Sequence, residues 1–137
     1  MMEQLKALVE RCGAKTRPAS TDSIAALEAK LGFELSPEYR RYLQDFGVIV
    51  LGGTETYGLG VPDDYYLNVG MSHADLRRDP TYPRHVLPVL DVGDGRYCLY
   101  DNEAQKMLLW ATPNGGVVQV FAESLEAFLA RHLQREA

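Results

Sequence analysis

The stretch Leu31-Gly32-Phe33-Glu34-Leu35-Ser36-Pro37-Glu38-Tyr39 decides how this chain folds. Gly32 suits the left-handed position just past a helix C-terminus, where a residue without a Cβ meets little steric cost. Ser36 offers a hydroxyl to cap a second helix, and Pro37 falls at the first helical position, where its missing N–H would have been unpaired anyway. One helix therefore stops and another starts within about five residues. Downstream, Tyr39, Tyr42, Leu43 and Phe46 recur at i, i+3, i+4 and i+7, a mostly aromatic stripe on one helix face that Gly47 brings to an end. Upstream, Ile24, Leu27 and Leu31 mark the apolar side of the preceding helix, for which Ser20, Thr21 and Asp22 are available caps. The rest of the chain must pack on the stripe.

Towards the N-terminus, Leu5, Leu8, Val9 and Cys12 form one face of a helix from about Glu3 to Arg11, stopped by Gly13, and Ala14 to Ala19 is a short basic linker. Towards the C-terminus, Val48 to Leu51 is a short β-branched strand, Gly52 and Gly53 turn it, and Thr54 to Tyr57 returns. Gly58 and Gly60 open an irregular stretch to about Val69, and a helix follows from Ser72 to Arg78. His85 to Leu90 and Tyr97 to Tyr100 make a hairpin around an Asp91 to Gly95 loop. Lys106 to Trp110 and Val117 to Val120 make another around Pro113-Asn114-Gly115-Gly116. Ser124 caps a last helix that turns Leu125, Phe128, Leu129 and Leu133 inward. Helices, then antiparallel strands, then a helix predict an α+β fold: an antiparallel sheet of about five or six strands with helices packed on one side.

The 137 residues fit one domain, and 46% hydrophobic with 24% charged residues is ordinary for a globular protein. No run approaches the roughly 18 uninterrupted apolar residues of a membrane span, and the N-terminus lacks the basic and apolar regions of a signal peptide, so a cytoplasmic protein without a membrane partner is expected. Cys12 and Cys98 lie far apart with no metal-ligand spacing, which predicts two reduced thiols in or near the core.

Taken together, Ile24, Leu31-Gly32, Leu35-Ser36-Pro37-Glu38-Tyr39-Arg40, Leu43, Gly47, the glycine pair 52 and 53, Tyr57-Gly58-Leu59, Asp91-Val92-Gly93-Asp94-Gly95, Ser124-Leu125 and Phe128-Leu129 resemble the SUKH superfamily. Each piece is a capping or turn signal that many folds use, whereas their order and spacing are more specific. The resemblance covers about Ser20 to Leu133, with residues 1–19 as an N-terminal helix and linker ahead of the family core. It implies a single SUKH-like domain. Many bacterial members of that superfamily are immunity proteins that bind and neutralise a toxin domain, commonly a nuclease, and fungal relatives are interaction proteins that regulate cell-wall synthesis.

No catalytic or cofactor motif stands out beside it. His73 falls in a polar surface helix, His85 opens a strand and His132 lies in the last helical turn, none with a placed nucleophile or carboxylate partner. Asp91 to Gly95 fits a hairpin turn far better than a calcium loop, which needs carboxylates at alternate positions and a closing glutamate. Gly58-Leu59-Gly60 lacks the lysine of a phosphate loop and the third glycine of a dinucleotide fold. The expectation is a non-enzymatic protein without a cofactor or metal.

Charge carries the functional signal. Between Arg41 and Arg77 there is no lysine or arginine, while Asp45, Glu55, Asp63, Asp64 and Asp75 all fall there, so this stretch alone has the net charge of −5 that the whole chain has. Tyr42, Phe46, Tyr57, Tyr65 and Tyr66 are interleaved with it; Tyr42 and Phe46 fit the core stripe, whereas nothing periodic accounts for Asp63-Asp64-Tyr65-Tyr66 after Pro62. A second acidic group, Asp91, Asp94, Asp101 and Glu103, lies on the two hairpin connections. Acidic loops repel nucleic-acid phosphates and attract basic protein surfaces, and tyrosines supply contact area at low rotamer cost. The candidate binding residues are accordingly Glu55, Tyr57, Asp63, Asp64, Tyr65, Tyr66, Asp91, Asp94, Asp101 and Glu103. The expected partner is a cognate basic toxin rather than nucleic acid, with a non-catalytic scaffold or regulatory module as the alternative.

Overall fold

A computed structural model describes residues 1–136. Its helices are α1 (Glu3–Cys12), α2 (Thr21–Leu31), α3 (Pro37–Asp45), α4 (Val69–Leu76) and α5 (Leu125–Gln134). The decisive turn is built as its residues dictate: Gly32 ends α2 at φ 77°, and the Ser36 hydroxyl accepts from the Tyr39 N–H at 3.1 Å to start α3. Ser20 and Ser124 cap α2 and α5 in the same way. Helix α4 begins earlier than expected, because the Asn68 side chain caps it by accepting from the Met71 N–H at 3.0 Å. Two carboxylates extend the capping between helices: Glu38 of α3 accepts from the Glu126 N–H of α5, and Glu126 accepts from the Leu5 N–H of α1, each at 3.2 Å.

The α+β class is as expected, but the strands form two antiparallel sheets rather than one of five or six strands. The first joins β1 (Lys15–Thr16), β2 (Ile49–Leu51) and β3 (Thr54–Glu55), and the second runs in order through β4 (Val86–Gly93), β5 (Arg96–Asp101), β6 (Lys106–Ala111) and β7 (Gly116–Val120). The basic linker supplies β1, with Lys15 opposite Val50 and Thr16 opposite Ile49. The Asp91 to Gly95 loop is also tighter than expected. Strand β4 continues through two bulges to Gly93, and only Asp94 and Gly95 turn, at φ 55° and 72°, as a type I′ hairpin requires.

Alternation along the strands divides the core in two. Cys98, Tyr100 and Met107 face the main core with Leu5, Tyr39, Tyr42, Leu43, Phe128 and Leu129, whereas Leu99, Leu108 and Trp110 face the reverse side. There Leu76 of α4 and Tyr82 of the segment leading into β4 cover them, so the sheet has a second, smaller apolar cluster on its reverse side. Tyr39 stacks on Tyr100 at 5.6 Å between ring centroids, and the Tyr42 hydroxyl contacts the Thr56 hydroxyl at 2.6 Å and donates to the Tyr57 carbonyl at 2.7 Å. Tyr42 and Phe46 are therefore core residues. Leu43 is fully buried at the centre of the stripe, so Leu43→Ala should cost about 2 to 5 kcal/mol in chemical denaturation, and a loss below about 0.5 kcal/mol would contradict this packing.

Three glycines let the backbone segments around Arg17, Gly47 and Leu59 cross at close range. The Arg17 N–H donates to the Phe46 carbonyl at 2.7 Å, and the Leu59 N–H to the Gly47 carbonyl at 3.1 Å. Side chains are excluded at this crossing: a Cβ on Gly47 or Gly60 would stand 1.8 Å from the Arg17 carbonyl oxygen, and one on Gly58 would stand 1.5 Å from that of Gly47.

Candidate protein-binding surface

The crossing projects the loop that carries Asp63, Asp64, Tyr65 and Tyr66. The Tyr65 N–H donates to the Pro62 carbonyl at 3.0 Å and the Asn68 N–H to that of Tyr65 at 2.9 Å, so the loop is held as consecutive turns leading into α4. Both tyrosines are exposed, at 41% and 52%, with ring centroids 4.7 Å apart. The Tyr66 hydroxyl donates to the Glu55 carboxylate, and that carboxylate, with Tyr65 adding, raises the Tyr66 phenol above its ordinary range. Two large aromatic rings are thus held in one place in solvent before any partner arrives. Asp63 and Asp64 are exposed and make no ion pair among the described residues.

Beside Tyr65 lies a groove of about 350 Å³, with Val50, Val61 and Leu67 in its wall and Glu55 at its edge. Lys15 and Arg17 also line it. A stretch free of cations in sequence is therefore not free of them in space, because β1 pairs beside β2 and brings the linker's charges alongside. The groove edge is mixed in charge, and the excess of negative charge belongs to Asp63 and Asp64 beyond it.

The second acidic group divides. Glu55 shares a hollow of about 290 Å³ with Asp91 and Glu136, so it links the tyrosine loop to one end of the β4–β5 hairpin. Glu136 is anchored there, accepting from the Gly53 N–H and the Thr54 hydroxyl, each at 3.1 Å. Tyr57 is half-buried close by, its phenol pushed up to about 12 chiefly by burial, with Tyr97 and Asp91 adding. Asp94 is exposed on the turn itself. Asp101 and Glu103 lie at the opposite end of β5, which at roughly 3.3 Å per residue puts them well over 10 Å from Asp91. They have local roles: Asp101 accepts from the Glu103 and Ala104 N–H groups at 3.0 and 3.1 Å, and Glu103 pairs with His85. The structure therefore brings together Glu55, Tyr57, Tyr65, Tyr66 and Asp91, flanked by Asp63, Asp64 and Asp94, and leaves Asp101 and Glu103 apart.

His73 differs from expectation, while His132 lies in the last turn of α5 as expected. His73 is buried rather than on a polar surface, its Nδ1 2.9 Å from the Tyr82 hydroxyl, and His132 packs against Phe128 at 5.2 Å between ring centroids. Burial lowers both from the ordinary 6.5, with Arg77 adding at His73 and Arg135 and Arg131 at His132. A depressed histidine contributes its full stability above the unfolded value of 6.5 and loses it as pH falls through that value towards the folded one. The thermal midpoint should therefore drop between pH 7 and pH 5, before the depressed carboxylates Glu28 and Glu123 add their loss below about 4.5. The drop should shrink in His73→Gln and His132→Gln, and a midpoint unchanged over that range would contradict the placement of both rings.

Among the described residues no group of three or more His, Cys, Asp or Glu is placed to hold a metal ion, and no helix is long and apolar enough to cross a membrane. Cys12 and Cys98 are both free thiols, half-buried and buried respectively.

Comparison with known proteins bears on this arrangement. No curated protein matches the chain. Among solved structures, a protein from Pseudomonas syringae pv. tomato shares the fold, with a TM-score of 0.65 and 17% sequence identity over 88% of this chain and 89% of that one. The family model described as SUKH_5, SMI1-KNR4 cell-wall, matches residues 1–134, so the match takes in α1 and β1 as well as the expected core. With nearly its whole length matched and with the α+β architecture in place, the chain belongs to the SUKH_5 family of the SUKH group, which includes immunity proteins of polymorphic toxin systems.

Proposed function

We propose that this protein is an immunity protein that binds a cognate bacterial toxin domain in the cytoplasm, a basic one of the nuclease type, and neutralises it by occlusion without any catalysis of its own. The observation that carries the reading is the exposed Tyr65–Tyr66 pair, braced on Glu55 and flanked by Asp63 and Asp64. Fixed aromatic rings give a partner large contact area at little further entropic cost, and the surrounding carboxylates favour the approach of a cationic face. Family membership supports a protein-binding role of this kind.

The experiment is survival. The adjacent reading frame should encode a toxic domain, and a host cell making that domain should grow when this protein is made and die when it is not. Growth arrest in both cases would overturn the reading. Lys15 and Arg17 on the groove favour a second reading, a scaffold or regulatory module, because a surface of mixed charge suits several weaker contacts. That reading predicts several partners of micromolar affinity in a cell that encodes no toxin.

A further inference from the structure

A second concave site lies apart from the tyrosine loop and shares no lining residue with its groove. It is a pocket of about 290 Å³ whose lining includes Phe33 from the α2–α3 connection, His73 and Arg77 on or just after α4, and Tyr82, Arg84 and His85 from the segment before β4. In a chain of net charge −5, two guanidiniums and two imidazoles gather in one hollow.

Neither Arg77 nor Arg84 makes an ion pair among the described residues, and of the neighbouring carboxylates only Glu103 is engaged on a lining residue, His85. Asp75 pairs with Arg78 at 3.8 Å, Glu34 with Arg40 at 3.5 Å, and Glu103 with His85. Asp79 accepts from the Thr81 and Asn114 N–H groups, each at 2.8 Å, and from the Thr112 hydroxyl at 2.5 Å.

The walls are preorganised. His85 is held in the left-handed region at φ 56°, a conformation uncommon for a residue with a side chain, and its carbonyl accepts from the Asn102 N–H at 3.0 Å. The Asn102 side chain also donates to the Glu34 carbonyl at 2.9 Å and accepts from the Ser36 N–H at 2.8 Å, which locks the α2–α3 connection to the same point. The Phe33 ring lies 4.9 Å from His85 and 6.5 Å from His73, between centroids.

His73 Nδ1 faces the Tyr82 hydroxyl and His85 pairs with Glu103, so the donors without partners are the two guanidinium forks, which arrive from separate elements and match the several oxygens of a tetrahedral oxyanion better than the two of a carboxylate. The volume is just below the roughly 300 Å³ at which small-molecule sites begin, so the occupant is small. We propose that this pocket binds the phosphate group of a small molecule, with Arg77 and Arg84 as the principal donors and Phe33 as a wall for any apolar part. The site is independent of the toxin reading, and its failure would leave that reading untouched.

The test is a nuclear magnetic resonance titration of the full chain with sodium phosphate, beside sodium acetate and sodium chloride at matched ionic strength. Saturable shifts at Phe33, His73 and His85 are expected with phosphate alone, at millimolar or lower concentration. Arg77→Gln with Arg84→Gln should weaken binding at least tenfold. Both side chains are exposed, so the thermal midpoint in phosphate-free buffer should not change. Phenyl phosphate binding more tightly than phosphate would identify a phosphate ester as the ligand, and equal binding would identify inorganic phosphate; either upholds the site. Shifts that do not saturate, that acetate or chloride reproduces, or that persist in the double variant would overturn it.

Discussion

Gly58→Ala should unfold this protein or destabilise it by about 3 kcal/mol or more, a larger effect than any exposed substitution can have. The added Cβ would stand 1.5 Å from the Gly47 carbonyl oxygen and 2.7 Å from its carbon. The obstacle is backbone, not the end of a flexible side chain, so one of the two strands of chain must move. Relief would break the Leu59 N–H bond to the Gly47 carbonyl at 3.1 Å and the bonds that join Gly58 to the segment before α4, from the Gly58 N–H to the Leu67 carbonyl at 2.9 Å and from the Val69 N–H to the Gly58 carbonyl at 2.8 Å. Gly32→Ala is the control. Gly32 also has positive φ, at 77°, but a Cβ there meets nothing within 4 Å, so it should lose only about 1 kcal/mol, the cost of the left-handed backbone. Denaturant unfolding of both variants checks the contrast, and equal losses would show that the crossing is not tight.

Tyr65→Ala with Tyr66→Ala should have the largest effect on function. If the pair is the anchor of the toxin interface, truncation should cost about 2 kcal/mol or more in binding, roughly a 30-fold rise in the dissociation rate, with the association rate little changed. Stability should scarcely move, because both rings are exposed and outside the core. Surface-binding kinetics separates the two rates, and an unchanged dissociation rate would place the interface elsewhere.

Local chemistry made much of the fold legible. As helix caps, Gly32, Ser36, Ser20 and Ser124 use bonds to residues no more than four positions away, so those roles could be read without knowing the tertiary structure. The stripe of Tyr39, Tyr42, Leu43 and Phe46 was equally plain from its period. What escaped depends on distant partners. Strand β1 is two residues long and exists only because β2 lies beside it. His73 looked solvated in sequence and is covered by Tyr82 and Phe33. Asn102, which joins three separate segments, carried no signal beyond being a turn residue. The same limit applies to the candidate surface: the acidic and aromatic loop was visible, while its neighbours Lys15, Arg17 and Glu136 enter through pairing and helix packing.

The central claim, a tight complex with a cationic toxin steered by acidic residues, is tested most directly by surface-binding kinetics of this protein against a toxin domain, where the adjacent reading frame encodes one, at low and physiological salt. The account predicts a nanomolar dissociation constant, about −12 kcal/mol, and an association rate that falls as salt rises, since exposed charges are screened beyond about 8 Å at physiological ionic strength. It further predicts that Asp63→Lys with Asp64→Lys slows association several-fold at low salt and leaves the thermal midpoint in place. An association rate indifferent to both salt and the double charge reversal would contradict it.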